Sequence, residues 1–483
     1  MSNDPGCSEN PVQTLNPSLL CLSNGHGEDV IAVRILQELQ QHSSLLNIAA
    51  LPLVGEGRAY TQQGIPIIGS VKTMPSGGFI YMDGRELMRD LQGGLLQLTL
   101  AQLGAVKSWT RGDRKMRRWG DGVMGSPLNT SPPSPLTPRS QAELGNERGV
   151  ILAVGDIVPL LFAWLSGANY AFVGTAKSEY YLRDERGILP RRSLFARLEN
   201  WAGSVYLPWE RWLMSHPRCK AVFPRDSLTT QILQKWSIPA FDLGNPMMDR
   251  LEPVKPLDCD TEQTLTILLL PGSRLPEALG NWEQIVTAVT SLMATLGDRQ
   301  LLFLGAIAWG LSLDPFCQIL ENAGFQQSVG AGFSDIPLPK QTIPLNPLSN
   351  IPTPGILTFS KKNASIILTQ HAYNECLKKA QVAIAMAGTA TEQFVGLGKP
   401  AITFPGKGPQ FTYSFAEAQS RHLGASIILV EHPNQVADAV QSLLNDPQRL
   451  QLISENGFRR MGKPGAARRI AQCLIEKLTL ESH

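Results

Sequence analysis

Four stretches place glycines and polar side chains directly after an apolar run, where an open parallel sheet presents its ligand-binding groups. The first is Asn24-Gly25-His26-Gly27-Glu28-Asp29. Gly25 and Gly27 allow a tight strand-to-helix turn, and the helix N-terminus behind them offers free N–H groups to an anion or hydroxyl. His26 could take a proton there, whereas Glu28 and Asp29 also suit the first turn of any helix. The second stretch is Gly155-Asp156, where a lone acid tips a very apolar strand. Asp156 fits two roles: helix N-cap, or general base tuned by apolar surroundings.

The third stretch is Leu270-Pro271-Gly272-Ser273-Arg274, followed by Glu277. A glycine turn whose backbone N–H groups approach a ligand, beside a guanidinium that forks onto phosphate oxygens, suits a diphosphate. The fourth is Ala387-Gly388-Thr389-Ala390-Thr391-Glu392. Gly388 permits close backbone approach, Thr389 and Thr391 carry hydroxyls for phosphate, and Glu392 could accept hydrogen bonds from vicinal ribose hydroxyls. Each turn alone could be helix capping. Two of them on one sheet point to a nucleotide.

Positioning these groups requires strands that alternate with helices. Residues 19–22, 48–53, 65–68, 151–154, 170–173, 264–270, 300–304, 381–386 and 400–404 read as short strands. Ile31, Ile35 and Leu39 mark the buried stripe of a helix. This β-α-β rhythm predicts α/β architecture, with parallel sheets covered by helices on both faces. Residues 121–149 and 333–355 are Pro-rich and polar and read as insertions. The Pro-containing break at residues 251–261 separates two complete β-α-β series. It divides the chain into residues 1–250 and 251–483, with the last helix free to pack back on the first half.

The 483 residues carry 43 Lys+Arg against 41 Asp+Glu, a formal charge of +2 that gives no global argument for nucleic-acid binding. Seven scattered cysteines form no CxxC pair, so a zinc ribbon or disulfide framework is not indicated, and a reducing cytoplasm fits. Residues 1–17 lack the basic start and apolar core of a signal peptide. The uncharged run 157–173 reads as helix, turn and strand rather than a membrane span. Asp258-Cys259-Asp260 precedes a strand instead of following one, and the Gly457–Lys463 spacing of a phosphate loop ends in Pro464. No HExxH or GxSxG occurs, so neither a metal centre nor a serine hydrolase is expected.

Taken together, residues 23–32 (SNGHGEDVIA), 221–251, 268–277 (LLLPGSRLPE) and 386–400 (MAGTATEQFVGLGKP) resemble lipid-A-disaccharide synthase, and more closely the branch of proteins related to it. The resemblance runs from residue 19 to about residue 470, apart from the Pro-rich insertions. It implies a GT-B glycosyltransferase: an N-terminal acceptor domain, a C-terminal nucleotide-sugar domain, catalysis in the cleft, and no metal or other cofactor. Under it, Gly272, Ser273 and Arg274 are donor-phosphate contacts. Gly388, Thr389 and Thr391 form the second phosphate-facing turn, Glu392 takes the ribose, and Gln410 faces the donor sugar. Asp156 resembles the acid at the corresponding strand end of the acceptor domain. The first loop departs from the synthase pattern by carrying His26.

The expected reaction is inverting transfer of a sugar from a uridine diphosphate sugar to a hydroxyl of a lipid or lipid-linked acceptor, with His26 or Asp156 as base. A non-catalytic nucleotide-sugar-binding protein and a nucleotide-sugar epimerase are the alternatives. Residues 107–118 carry six basic groups against one acid, with Trp109 inside, Trp119 adjacent, and Trp201, Trp209 and Trp212 following the basic stretch 183–197. Such a combination suits an anionic membrane surface; its alternative is a solvated basic loop with core tryptophans.

Overall fold

The computed structural model describes residues 18–42, 46–71, 95–111, 149–189, 200–251, 264–328 and 356–478. Both Pro-rich insertions lie outside these residues, except Gly149, as do residues 112–118, Trp119 and the break at 251–261, except Leu251.

The first half begins with β1 (Ser18–Ser23), α1 (His26–His42) and β2 (Asn47–Pro52), and continues with α2 (Leu95–Thr110), β3 (Val150–Gly155) and α3 (Ile157–Leu165). After β4 (Tyr170–Gly174) comes a small antiparallel pair, β5 (Arg183–Asp184) and β6 (Gly187–Ile188), then α4 (Pro208–Ser215) and β7 (Cys219–Pro224). Five strands form one parallel sheet in the order β2-β1-β3-β4-β7. β1, β3 and β4 are buried along their whole length, as expected of strands covered on both faces. The apolar run 157–173 forms α3 and most of β4, and no described helix is long and apolar enough to cross a membrane. The expected strand at 65–68 shrinks to a single bridge between Ala50 and Ile67. Pro66 has no N–H to extend the ladder there.

The second half contains β8 (Thr264–Leu270), α5 (Glu277–Thr295), β9 (Gln300–Ala306), β10 (Gln326–Ser328), β11 (Ile356–Lys361) and β12 (Ala364–Thr369). Then follow β13 (Val382–Ala385), α6 (Thr389–Gly396), β14 (Ala401–Thr403), α7 (Tyr413–Leu423), β15 (Ile427–Leu429), α8 (Pro447–Met461) and α9 (Ala466–Leu478). Its eight-stranded sheet runs β10-β11-β12-β9-β8-β13-β14-β15. The sheet is not wholly parallel: β10, β11 and β12 pair antiparallel at one edge.

The last helix returns to the first half. Ile470 and Leu474 of α9 share a core with Ile31 and Ile35 of α1. Its N-terminus is capped from residue 249: the Asp249 carboxylate accepts backbone N–H bonds from Gly465, Ala466 and Ala467 at 2.6, 2.9 and 2.7 Å. Three orphan donors of a helix start are thereby satisfied by one anion, which the helix dipole also favours.

Candidate functional site

Each sheet reverses its winding once. In the first, the chain leaves β1 toward β2 and returns on the other side with β3; in the second, it leaves β8 toward β9 and returns with β13. The carboxyl ends of β1 and β3, and of β8 and β13, therefore flank the two crevices where doubly wound sheets bind ligands. All four glycine-bearing stretches sit at these ends.

In the second half, Leu270 pairs with Ala385, so the two turns start side by side. Gly272 has φ +99°, and a Cβ there would lie 3.3 Å from the Met386 carbonyl oxygen, so glycine is needed for both conformation and approach. Ser273 and Thr389 are exposed and Arg274 is half-buried. Arg274 Nη1 donates to Gln410 Oε1 at 3.1 Å. The Glu277 carboxylate accepts from the backbone N–H groups of Gln410 (3.0 Å) and Phe411 (2.6 Å), fixing that loop over the turn after β8. Gly388 precedes α6. Thr391 departs from its expected place: its side chain is fully buried and its hydroxyl donates to the Ala387 carbonyl at 2.6 Å, one turn back. A hydroxyl satisfied inside its own helix has nothing to offer a phosphate.

In the first half, Gly25 (φ +136°) makes the turn into α1, which begins at His26. The His26 side chain lies outside the described residues. Gly27 is exposed, and Asp29 is buried. Asp29 accepts a 2.6 Å bond from Ser23, whose hydroxyl accepts in turn from Tyr60. Burial pushes the Asp29 carboxyl up to about 7. Gly155 approaches this loop closely: a Cβ on it would lie 3.2 Å from Asn24 Cβ and 3.5 Å from Glu28 Cγ. Asp156 caps α3, accepting from Val158 N at 2.8 Å. Desolvation raises both the Glu28 and Asp156 carboxyls; the nearby Asp156 charge pushes Glu28 further up, and the Glu210 charge does the same to Asp156.

The two crevices face one another. Arg225, immediately after β7, donates Nη2 to Glu392 Oε2 at 2.7 Å and Nη1 to the Thr175 carbonyl at 3.0 Å. Thr175 in turn donates its hydroxyl to Glu28 Oε1 at 3.3 Å. Beside this bridge lies a cavity of about 290 Å³, lined from the first half by Lys177, Tyr181 and Val205 and from the second by Glu392, Phe415, Ala418, Gln419 and Arg421. Tyr181 stacks on the buried His422 with ring centroids 4.8 Å apart. Desolvation, with Arg225 and Arg460 nearby, holds His422 well below its ordinary pKa, so that imidazole is neutral. Of these residues sequence reading singles out Glu392 alone; Arg225, at the end of an apolar run within residues 221–251, and the other cavity residues carry no glycine motif and receive no role from it. Among the described residues no cluster of His, Cys, Asp and Glu could hold a metal ion.

No protein-family model and no curated protein sequence matches the chain. Solved structures do match across nearly its whole length. CalG4, the calicheamicin glycosyltransferase, aligns with a TM-score of 0.52 at 12% identity, covering 96% of this chain and 98% of that one. MurG from Acinetobacter baumannii gives 0.50 at 14% identity, covering 95% and 99%. A Listeria monocytogenes protein assigned as a UDP-N-acetylglucosamine 2-epimerase gives 0.50 at 12%, covering 96% and 98%. At these identities the likeness is one of fold. The fold is GT-B: two Rossmann-like α/β domains facing across a cleft.

Proposed function

We propose that the chain is a metal-independent, inverting glycosyltransferase that moves a sugar from a uridine diphosphate sugar to a hydroxyl of a lipid or lipid-linked acceptor, in the manner of lipid-A-disaccharide synthase. The observation that carries this reading is the opposition of two switch points. One is flanked by two glycine turns with Arg274; the other is flanked by an acidic loop and Asp156. Of two proteins of the same fold, one named a glycosyltransferase supports transfer, and one named an epimerase of a uridine diphosphate sugar supports use of such a sugar.

In this reading the diphosphate lies against Gly272–Arg274 and Gly388–Thr389, Gln410 meets the donor sugar, and Glu392 takes the ribose. The acceptor hydroxyl enters beside Asn24–Asp29. Asp156 or His26 removes its proton as the oxygen attacks the anomeric carbon from the face opposite the diphosphate. The carbon–oxygen bond to the diphosphate breaks, its electron pair stays on the phosphate oxygen, and Arg274 with backbone N–H groups stabilises that charge. An Asp156 carboxyl raised by burial is a stronger base than one in water, which suits the task near neutral pH.

A lipid acceptor would be met at a membrane face on the first half. Trp109 takes no part in it, because its indole is buried against Gly149. Trp201, Trp209 and Trp212 are 72%, 51% and 54% exposed. Arg211 stacks on Trp236, and Trp212 meets Trp164 edge-on. With Arg211, Arg218 and Lys220 nearby in sequence, this surface suits peripheral contact with anionic lipid on the cytoplasmic face.

Turnover of a uridine diphosphate sugar by the purified protein, lost in Asp156→Ala or His26→Ala, tests the reading. Binding without turnover would make the chain a binding protein. Free epimer released without acceptor would make it an epimerase.

A further inference from the structure

Glu392 and Arg225 belong to opposite halves of the molecule, 167 positions apart, yet they form one buried ion pair with side chains 10% and 6% exposed. Only one carboxylate oxygen is used. Oε2 receives Arg225, whereas Oε1 lies 3.6 Å from the nearer ring nitrogen of His422, beyond hydrogen-bond reach and opposite a neutral imidazole. Glu392 also lines the 290 Å³ cavity between the halves. A carboxylate held through Oε2 on a residue that lines the cavity is an oriented acceptor for a ligand hydroxyl.

The cation that holds Oε2 comes from the first half. The guanidinium is itself fixed, because Nη1 is taken by the Thr175 carbonyl at the end of β4. It cannot be deprotonated, and its planar fork sets the plane of the carboxylate in a way an ammonium would not. Opening the cleft would therefore leave Glu392 unpaired and free to rotate.

Resting on the donor reading above, we propose that Arg225 is the positioning residue for nucleotide binding: it presents Glu392 to the ribose, so that the donor site is complete only when the two halves are closed. Nucleotide affinity and closure are then reciprocally coupled, each strengthening the other by the same factor. The ligand class is a nucleoside diphosphate with vicinal ribose hydroxyls, and Arg225 acts on it through Glu392 without touching it.

The test is calorimetric titration of UDP into the full-length wild type, Arg225→Ala, Arg225→Lys, Glu392→Ala, and the Arg225→Ala/Glu392→Ala double variant. Arg225→Ala is expected to weaken UDP binding by about 5- to 150-fold, the usual range of coupling between sites. Arg225→Lys should restore part of the loss. The double variant should bind no more weakly than the weaker single variant, because both act through one interaction. A structural role alone would lower the urea midpoint and leave the UDP affinity of the folded protein unchanged. Arg225→Lys retains a cation opposite Glu392, which keeps the test decisive if Arg225→Ala does not fold. Unchanged UDP affinity in Arg225→Ala and Arg225→Lys, or losses that multiply in the double variant, would overturn the proposal while leaving the donor site standing. A wild type that binds no nucleotide would overturn the donor reading itself.

Discussion

Arg274 Nη1 donates to Gln410 Oε1 at 3.1 Å, tying the turn after β8 to the loop after β14. Two segments that carry the expected phosphate and sugar contacts are thereby joined before any ligand arrives. Such prior ordering reduces the entropy lost on binding.

Removing the guanidinium should therefore weaken nucleotide binding. A charge-assisted hydrogen bond of about 1.5–3 kcal/mol corresponds to roughly 10- to 150-fold in affinity. Arg274→Ala is expected to lose that much UDP affinity by calorimetry, and Arg274→Lys should recover only part, since an ammonium lacks the fork. Unchanged UDP affinity in Arg274→Ala would remove Arg274 from the donor site.

Gly272→Ala tests the turn through its backbone. At φ +99°, with the Met386 carbonyl oxygen 3.3 Å from the added carbon, alanine is strained and crowded. A loss of about 1–3 kcal/mol is expected from the urea midpoint. UDP affinity should fall with it. An alanine variant as stable as wild type would mean that the turn relaxes freely.

Much of this architecture was legible in the residues. The strand over 264–270 stands out as an uninterrupted apolar run, and the helix after residue 26 as a stripe of Ile31, Ile35 and Leu39. What escaped depends on tertiary approach. The antiparallel β11–β12 edge is set by pairing across Lys361–Ala364, which leaves no mark in the β-α-β rhythm. The hydroxyl of Thr391 looks available beside Gly388 until the helix turns it onto Ala387. The place of Arg225 is fixed by a partner 167 positions away, and no local spacing encodes that distance.

Asp29 makes a pH prediction. Burial raises its carboxyl from 3.8 to about 7, so the folded state holds a proton that the unfolded state has already released between those values. Stability should therefore fall as pH rises from about 4 to about 7, at a slope of up to ~1.4 kcal/mol per pH unit for one group. Above that window this contribution is constant. Asp29→Asn, which cannot ionise, should flatten the urea-midpoint profile over the same window. An identical profile in the variant would place the titration elsewhere.

Asp249 is expected to matter for stability rather than chemistry. Its carboxylate satisfies three N–H groups at the start of α9. Asp249→Ala should cost about 1–3 kcal/mol in urea denaturation. It should also expose the C-terminal helix to limited proteolysis. Wild-type stability in this variant would mean that apolar packing of α9 on α1 suffices.

Sugar transfer itself is tested by incubating a panel of nucleotide sugars with the purified protein and total lipid extract, with products read by mass spectrometry. The expected result is a lipid product heavier by one sugar residue, formed from a uridine diphosphate sugar with release of UDP, and lost in Asp156→Ala or His26→Ala. A sugar nucleotide recovered unchanged with every lipid, or converted to its epimer with no lipid present, would contradict it.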